Sequence, residues 1–130
     1  LVVDREAAPG LLGRVLGALS ASSVQQKRSF LAERAGQRIA SPLLSLTDHP
    51  LLPKLAGSRH FDGEGISARV LPILEQGVLR HFYVDTYYGR KLGWEPTTGS
   101  PSNLVVKLGT RSREERLREV ADGIYVTSWL

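Results

Sequence analysis

Apolar and polar positions change in short blocks along the chain, and the blocks predict short helices and strands rather than long ones. Residues 1–3, Leu-Val-Val, read as a strand end. A helix is predicted from about Pro9, a residue tolerated in a first turn. Leu11, Leu12, Val15, Leu16 and Leu19 then fall on one face. Gly10, Gly13 and Gly17 share a second face. Each glycine costs ~1 kcal/mol of helix propensity against Ala, which predicts close approach by another backbone. Their spacing fits neither a Walker A loop nor a dinucleotide fingerprint. A polar break at 20–23 leads to a second predicted helix over 24–35, with Val24, Phe30 and Leu31 as its contacts and Gly36 as its stop. An apolar run over 39–48 holds a predicted strand at 43–46. Asp48-His49-Pro50 ends it, since the residue before a proline is pushed out of helical geometry.

The middle of the chain organises the rest. Residues 57–65 form a polar loop with three glycines and two carboxylates, Asp62 and Glu64. Two apolar runs follow, split by Glu75-Gln76-Gly77. Gly77 takes φ > 0 without a Cβ clash, so Gln76-Gly77 predicts a tight turn and antiparallel pairing of 66–74 with 78–84. Pro72 lacks an N–H and is expected to face away from a partner or sit at a bulge. Residues 85–93 form a short basic and aromatic segment stopped by Gly93, and 94–101 reads as an ordered or mobile loop. A strand is predicted at 103–108. Ser112 and Glu115 form a capping box for a helix with a narrow stripe of Leu117, Val120 and Ala121 and a Glu114–Arg118 pair. Gly123 ends that helix, and 124–130 returns as a strand.

Composition narrows the function classes. The chain has 130 residues, 42% of them hydrophobic, enough for one core. It contains no cysteine, so it carries no disulfide, thiolate nucleophile or Cys-ligated metal. No apolar run reaches the length of a membrane span. The net charge of +4 permits an acidic partner. Lys and Arg are scattered, however, and no motif or stacking platform accompanies them, which argues against nucleic acid.

Several short pieces carry a resemblance. They are Ser29-Phe30-Leu31, Asp48-His49-Pro50, Ser58-Arg59-His60-Phe61-Asp62-Gly63-Glu64-Gly65, Gly77-Val78-Leu79, Tyr88-Gly89-Arg90-Lys91-Leu92-Gly93, Ser102-Asn103-Leu104 and Gly123-Ile124-Tyr125-Val126-Thr127. In this order they resemble the TldD/PmbA family, known as modulators of DNA gyrase and linked to peptide-maturing metalloproteases, and they resemble its PmbA (TldE) branch more closely. Family members are much longer, so residues 1–130 read as a single region, a fragment of a C-terminal domain. Both ends are strand-like, which predicts uncovered sheet edges and either self-association or a large apolar surface that the rest of the chain or a second subunit covers.

The candidate chemistry lies in the loops. Asp62 and Glu64 are two residues apart and suit proton sharing, substrate orientation or cation binding; alternatively they brace a turn. Asp85, Tyr87, Tyr88, Arg90 and Lys91 suit a peptide groove through stacking and carboxylate pairing, or a turn of helix whose aromatics cap the sheet. His49, His60 and His81 are spread over three segments and show no zincin spacing. The candidate cleft or structural-loop residues are therefore His60, Asp62, Glu64, Asp85, Tyr88, Arg90 and Lys91, with none assigned as catalytic or as a metal ligand. The expected fold is α+β, a mostly antiparallel sheet with packed helices. The resemblance implies a cytoplasmic metallopeptidase assembly acting on peptides or unfolded protein. In it this chain is the non-catalytic, substrate-shaping subunit, holding no cofactor, with zinc in a TldD-like partner subunit or a missing segment, or else it forms a homo-oligomer. The alternatives are a gyrase-binding module and a small hydrolase using Asp62 and Glu64.

Overall fold

The computed structural model describes residues 1–120 and 122–129. The chain divides into two compact units, residues 17–107 and the two terminal stretches 1–16 and 108–130. The fold is α+β.

The larger unit is built on a four-stranded antiparallel sheet of β2 (Leu46–Asp48), β3 (Leu71–Glu75), β4 (Val78–Leu79) and β5 (Leu104–Val106), ordered β4-β3-β2-β5. The predicted turn is present: Gln76 has φ 48° and Gly77 φ 77°, the positive pair that a tight hairpin requires. Pairing across it is shorter than the expected 66–74 with 78–84. The ladder covers Leu74↔Leu79 and Glu75↔Val78, and the second arm leaves β3 after Arg80, whose N–H donates to Ile73 O at 2.9 Å. Tyr83 instead runs parallel to Ser20, with Ala21 N–H donating to Tyr83 O at 2.8 Å and Tyr83 N–H to Leu19 O at 2.9 Å. Pro72 sits at an irregularity, where Leu46 pairs with Leu74 and Thr47 with Pro72. This places the residue without an N–H at a bulge.

Leu46, Ile73 and Leu79 are fully buried. Each contributes roughly 1.5–3 kcal/mol of hydrophobic stabilisation. Asp48 follows Leu46 by two residues on the same strand, so the pleat sends its carboxylate to the buried face as well.

Helices differ most from expectation. α1 (Ala8–Ala18) carries Pro9 in its first turn, and its last two residues fall in the larger unit. Leu19 just beyond it is fully buried, but Leu11 stays 45% exposed. A Cβ at Gly13 or Gly17 would meet nothing within 4 Å, and Gly10 lies against the Trp129 ring, so no backbone closes on the glycine face among the described residues. The helix expected over 24–35 is absent. α2 (Ala21–Gln25) starts on a Ser20 cap inside the supposed polar break. Lys27 then takes φ 56°, and the Ser29 hydroxyl donates to Ala18 O at 2.6 Å, which folds the chain back. Leu31 is buried and Phe30 is 72% exposed. Leu43–Leu46 is not a strand apart from its last residue: Leu44 N–H closes a turn on Ser41 O, and Leu43 is exposed. α3 spans Thr86–Leu92.

In the terminal unit, β1 (Val2–Val3) pairs in parallel with β6 (Tyr125–Val126). α4 (Arg113–Glu119) carries the full Ser112/Glu115 capping box. It ends on Val120, before Gly123. Glu114 pairs with the adjacent Arg113 at 3.0 Å rather than with Arg118. Ala121, expected in the apolar stripe, and Leu130, expected in the last strand, lie outside the described residues.

Candidate functional site: a clamped loop beside α3

Three of the sequence pieces meet around residues 97–103. Thr97 is buried; its hydroxyl donates to Phe82 O at 2.7 Å and accepts from Val84 N–H at 3.0 Å. Arg59 reaches the next residues, donating to Thr98 Oγ1 at 3.1 Å and to Ser100 O at 2.6 Å. Asp48, 1% exposed, accepts from Ser102 N–H at 2.9 Å and from the Ser102 hydroxyl. Asn103 accepts from Gly57 N–H at 3.0 Å and donates to His49 O at 3.2 Å. A Cβ on Gly57 would lie 2.6 Å from the Ser102 carbonyl carbon, so only glycine allows this approach. The loop read as ordered or mobile, 94–101, is thus held at Thr97, Thr98 and Ser100 and at Ser102 and Asn103 just after it. The Tyr83 hydroxyl is buried near Asp48 without a hydrogen-bond partner among the described residues. Burial first, then the Asp48 carboxylate, push its pKa well above the ordinary tyrosine value.

Asp62 is buried, and its Oδ1 accepts from the Glu64 and Ile66 amides at 3.0 Å each. Burial raises its pKa, but the Ile66 and Glu64 amides outweigh that effect and hold the carboxyl below the usual range. Glu64 bridges to α3, accepting from Thr86 N–H at 2.9 Å and the Thr86 hydroxyl at 2.6 Å. Asp85 caps α3 by accepting from Tyr88 N–H at 2.7 Å, and Gly93 ends it at φ 69°. The Tyr88 hydroxyl accepts from Gln26 at 3.3 Å. Lys91 lies 4.6 Å over the Tyr87 ring. Arg90 lines a separate open groove of about 420 Å³ with Thr86, Gly89, Gly93, Trp94, Glu95 and Pro96. The structure therefore joins Glu64 to the start of α3 and separates Arg90 from Lys91. His60 is exposed and makes no side-chain hydrogen bond among the described residues. Asp48 and Arg59, which hold the loop, were not among the candidate site residues, although both lie in pieces that carry the family resemblance.

A family model described as the PmbA/TldA metallopeptidase C-terminal domain matches residues 1–130. The chain belongs to the PmbA/TldD family. The metalloprotease PmbA of Escherichia coli O157:H7 is 33% identical over 129 residues, which are 98% of this chain and 29% of that protein. The chain therefore spans under a third of the length of that relative. A candidate modulator of DNA gyrase from Bacteroides thetaiotaomicron superposes with a TM-score of 0.93 at 40% identity, over 97% of this chain and 29% of that one. TldE from Thermococcus kodakarensis superposes at 0.84 with 26% identity, over 97% and 31%. The expected family and α+β fold are both confirmed.

The family implies a metal, and the described residues do not fit one. No three His, Asp, Glu or Cys side chains gather to hold an ion among them. Asp62 Oδ1 and both Glu64 oxygens are occupied by protein donors. No helix among the described residues is long and apolar enough to cross a membrane.

Proposed function

We propose that this PmbA/TldD-family chain is the non-catalytic, substrate-shaping part of a metalloprotease that acts on peptides or unfolded protein. The observation that carries this reading is the loop clamp. Asp48, Arg59 and Asn103, one from each of three sequence motifs, are engaged in fixing residues 97–103. Such an arrangement positions a wall: the three tethers are engaged with the loop rather than free to act on a substrate. Asp62 Oδ1 and both Glu64 oxygens are engaged by protein donors, which favours the structural-loop role at that pair, although Asp62 Oδ2 is buried without a partner among the described residues. We place the zinc in a TldD-like partner subunit or in a segment outside these 130 residues, the whole assembly being cytoplasmic. A second copy in place of the TldD-like partner is the competing assembly. A gyrase-binding role is supported by the descriptions carried by two solved neighbours, from Bacteroides thetaiotaomicron and Thermotoga maritima.

The test is a mixing experiment with the full-length protein that carries this chain. Cleavage of an unfolded-protein substrate is expected only when a TldD-like subunit is added. Equal cleavage by this protein alone overturns the non-catalytic role, and tight binding to gyrase without any cleavage by the mixture favours the gyrase reading.

A further inference from the structure

The groove beside α3 holds two opposite charges that do not neutralise each other. Arg90 and Glu95 both line it and both are exposed, yet neither forms an ion pair among the described residues. Trp94 and Pro96 lie at the same groove, and Trp94 is steadied by packing on Phe82 with ring centroids 5.2 Å apart. Gly93 opens on empty space in a left-handed conformation. Thr86, at the start of α3, is fixed by Glu64, whose carboxylate is already engaged there. The volume of about 420 Å³ is within the range of sites that hold small ligands. A planar guanidinium with no internal carboxylate recognises a carboxylate bidentately. Trp94 and Pro96 share the groove with these two charged side chains, and a segment that presents both signs beside apolar residues matches that lining.

We propose that this groove is a peptide subsite, taking an extended segment with an acidic side chain toward Arg90 and a basic side chain toward Glu95. The assignment rests on the substrate-shaping reading above and adds to it a sequence preference. Charge complementarity selects this occupant: a purely acidic segment would meet Glu95, and a purely basic one would meet Arg90.

The experiment is fluorescence anisotropy of end-blocked peptides on the full-length protein with its partner subunit, at low ionic strength and without turnover. One peptide carries Glu and Lys flanking apolar residues; the other carries Gln at both positions. The charged peptide is expected to bind about three- to tenfold more tightly. Arg90→Gln is expected to remove that preference while leaving the Gln peptide unchanged, and its exposure without bonds makes a folding defect improbable. The double exchange Arg90→Glu with Glu95→Arg is expected to move the preference to a peptide that carries Lys and Glu in exchanged order. Gly93→Asn, a residue that tolerates the left-handed conformation, weakens both peptides by filling the groove. Equal binding of the two peptides, or an Arg90→Gln effect of equal size on both, overturns the subsite. If the same assembly still cleaves unfolded protein, the substrate-shaping reading survives that failure; if it neither binds nor cleaves, both fall.

Discussion

Replacing Asp48 by Asn tests whether the loop clamp is made as described. The side chain is 1% exposed, and its two oxygens lie 2.9 and 3.1 Å from the Ser102 amide nitrogen, with the Ser102 hydroxyl as a further donor. An asparagine keeps the volume but turns one acceptor into a donor, which then faces another donor in a buried site. Losing one hydrogen bond to a carboxylate costs about 1.5–3 kcal/mol, and an unsatisfied buried donor adds to it. We expect about 2–3 kcal/mol, a 30- to 150-fold loss of protection at the Ser102 amide, since each 1.4 kcal/mol is tenfold. Hydrogen exchange with fragment-level mass spectrometry reads this directly, with β3 as an internal reference. Unchanged protection across residues 97–103 would mean that Asp48 does not hold the loop, and the clamp would lose its central tether.

Other outcomes follow from the same geometry. Gly77→Ala places a Cβ 2.2 Å from Ala40 O at φ 77°, whereas Gly36→Ala at φ 75° meets nothing within 4 Å. The first is expected to cost about 3 kcal/mol or more and the second only about 1–2, measured as a difference in unfolding midpoint. Asp62 has a lowered folded pKa, so its contribution is present above the ordinary carboxyl value of about 4 and lost as pH falls through the lower folded value. Asp62→Asn should flatten that acid limb, and an unchanged limb in acid denaturation refutes the assignment. Tyr83 has a raised folded pKa, so its contribution holds below pH of about 10 and is lost as pH rises toward the folded value. Because its hydroxyl lacks a partner, Tyr83→Phe is expected to stay within about 1 kcal/mol at neutral pH and to lessen alkaline unfolding.

Local signals were legible in the sequence. Gln76-Gly77 specified its own turn, Ser112 and Glu115 their capping box, and Gly93 its helix stop, because each acts within a few residues. The false helix at 24–35 had acceptable apolar spacing, but Ser29 binds Ala18, and that contact depends on where α1 ends. The candidate site was legible only in part. Glu64 and Asp85 lay in stretches singled out for their carboxylates, yet their common role in fixing the start of α3 requires a contact across 22 residues. The Asp48–Ser102 bond spans 54 residues, and nothing near Asp48 predicts its partner. Arg90 and Lys91, adjacent in sequence, face different surroundings because the helix turns about 100° per residue.

On the reading proposed above, the catalytic metal of this family is held outside these 130 residues. Zinc titration by calorimetry, on the chain and on the full-length protein carrying it, tests that most directly. A tight zinc site needs three or four protein ligands at short, defined distances. No site of micromolar or tighter affinity is expected in the chain, and added zinc should not produce peptide cleavage by it. A single site on the order of micromolar affinity, with chelator-sensitive cleavage abolished by His60→Ala, would contradict the account.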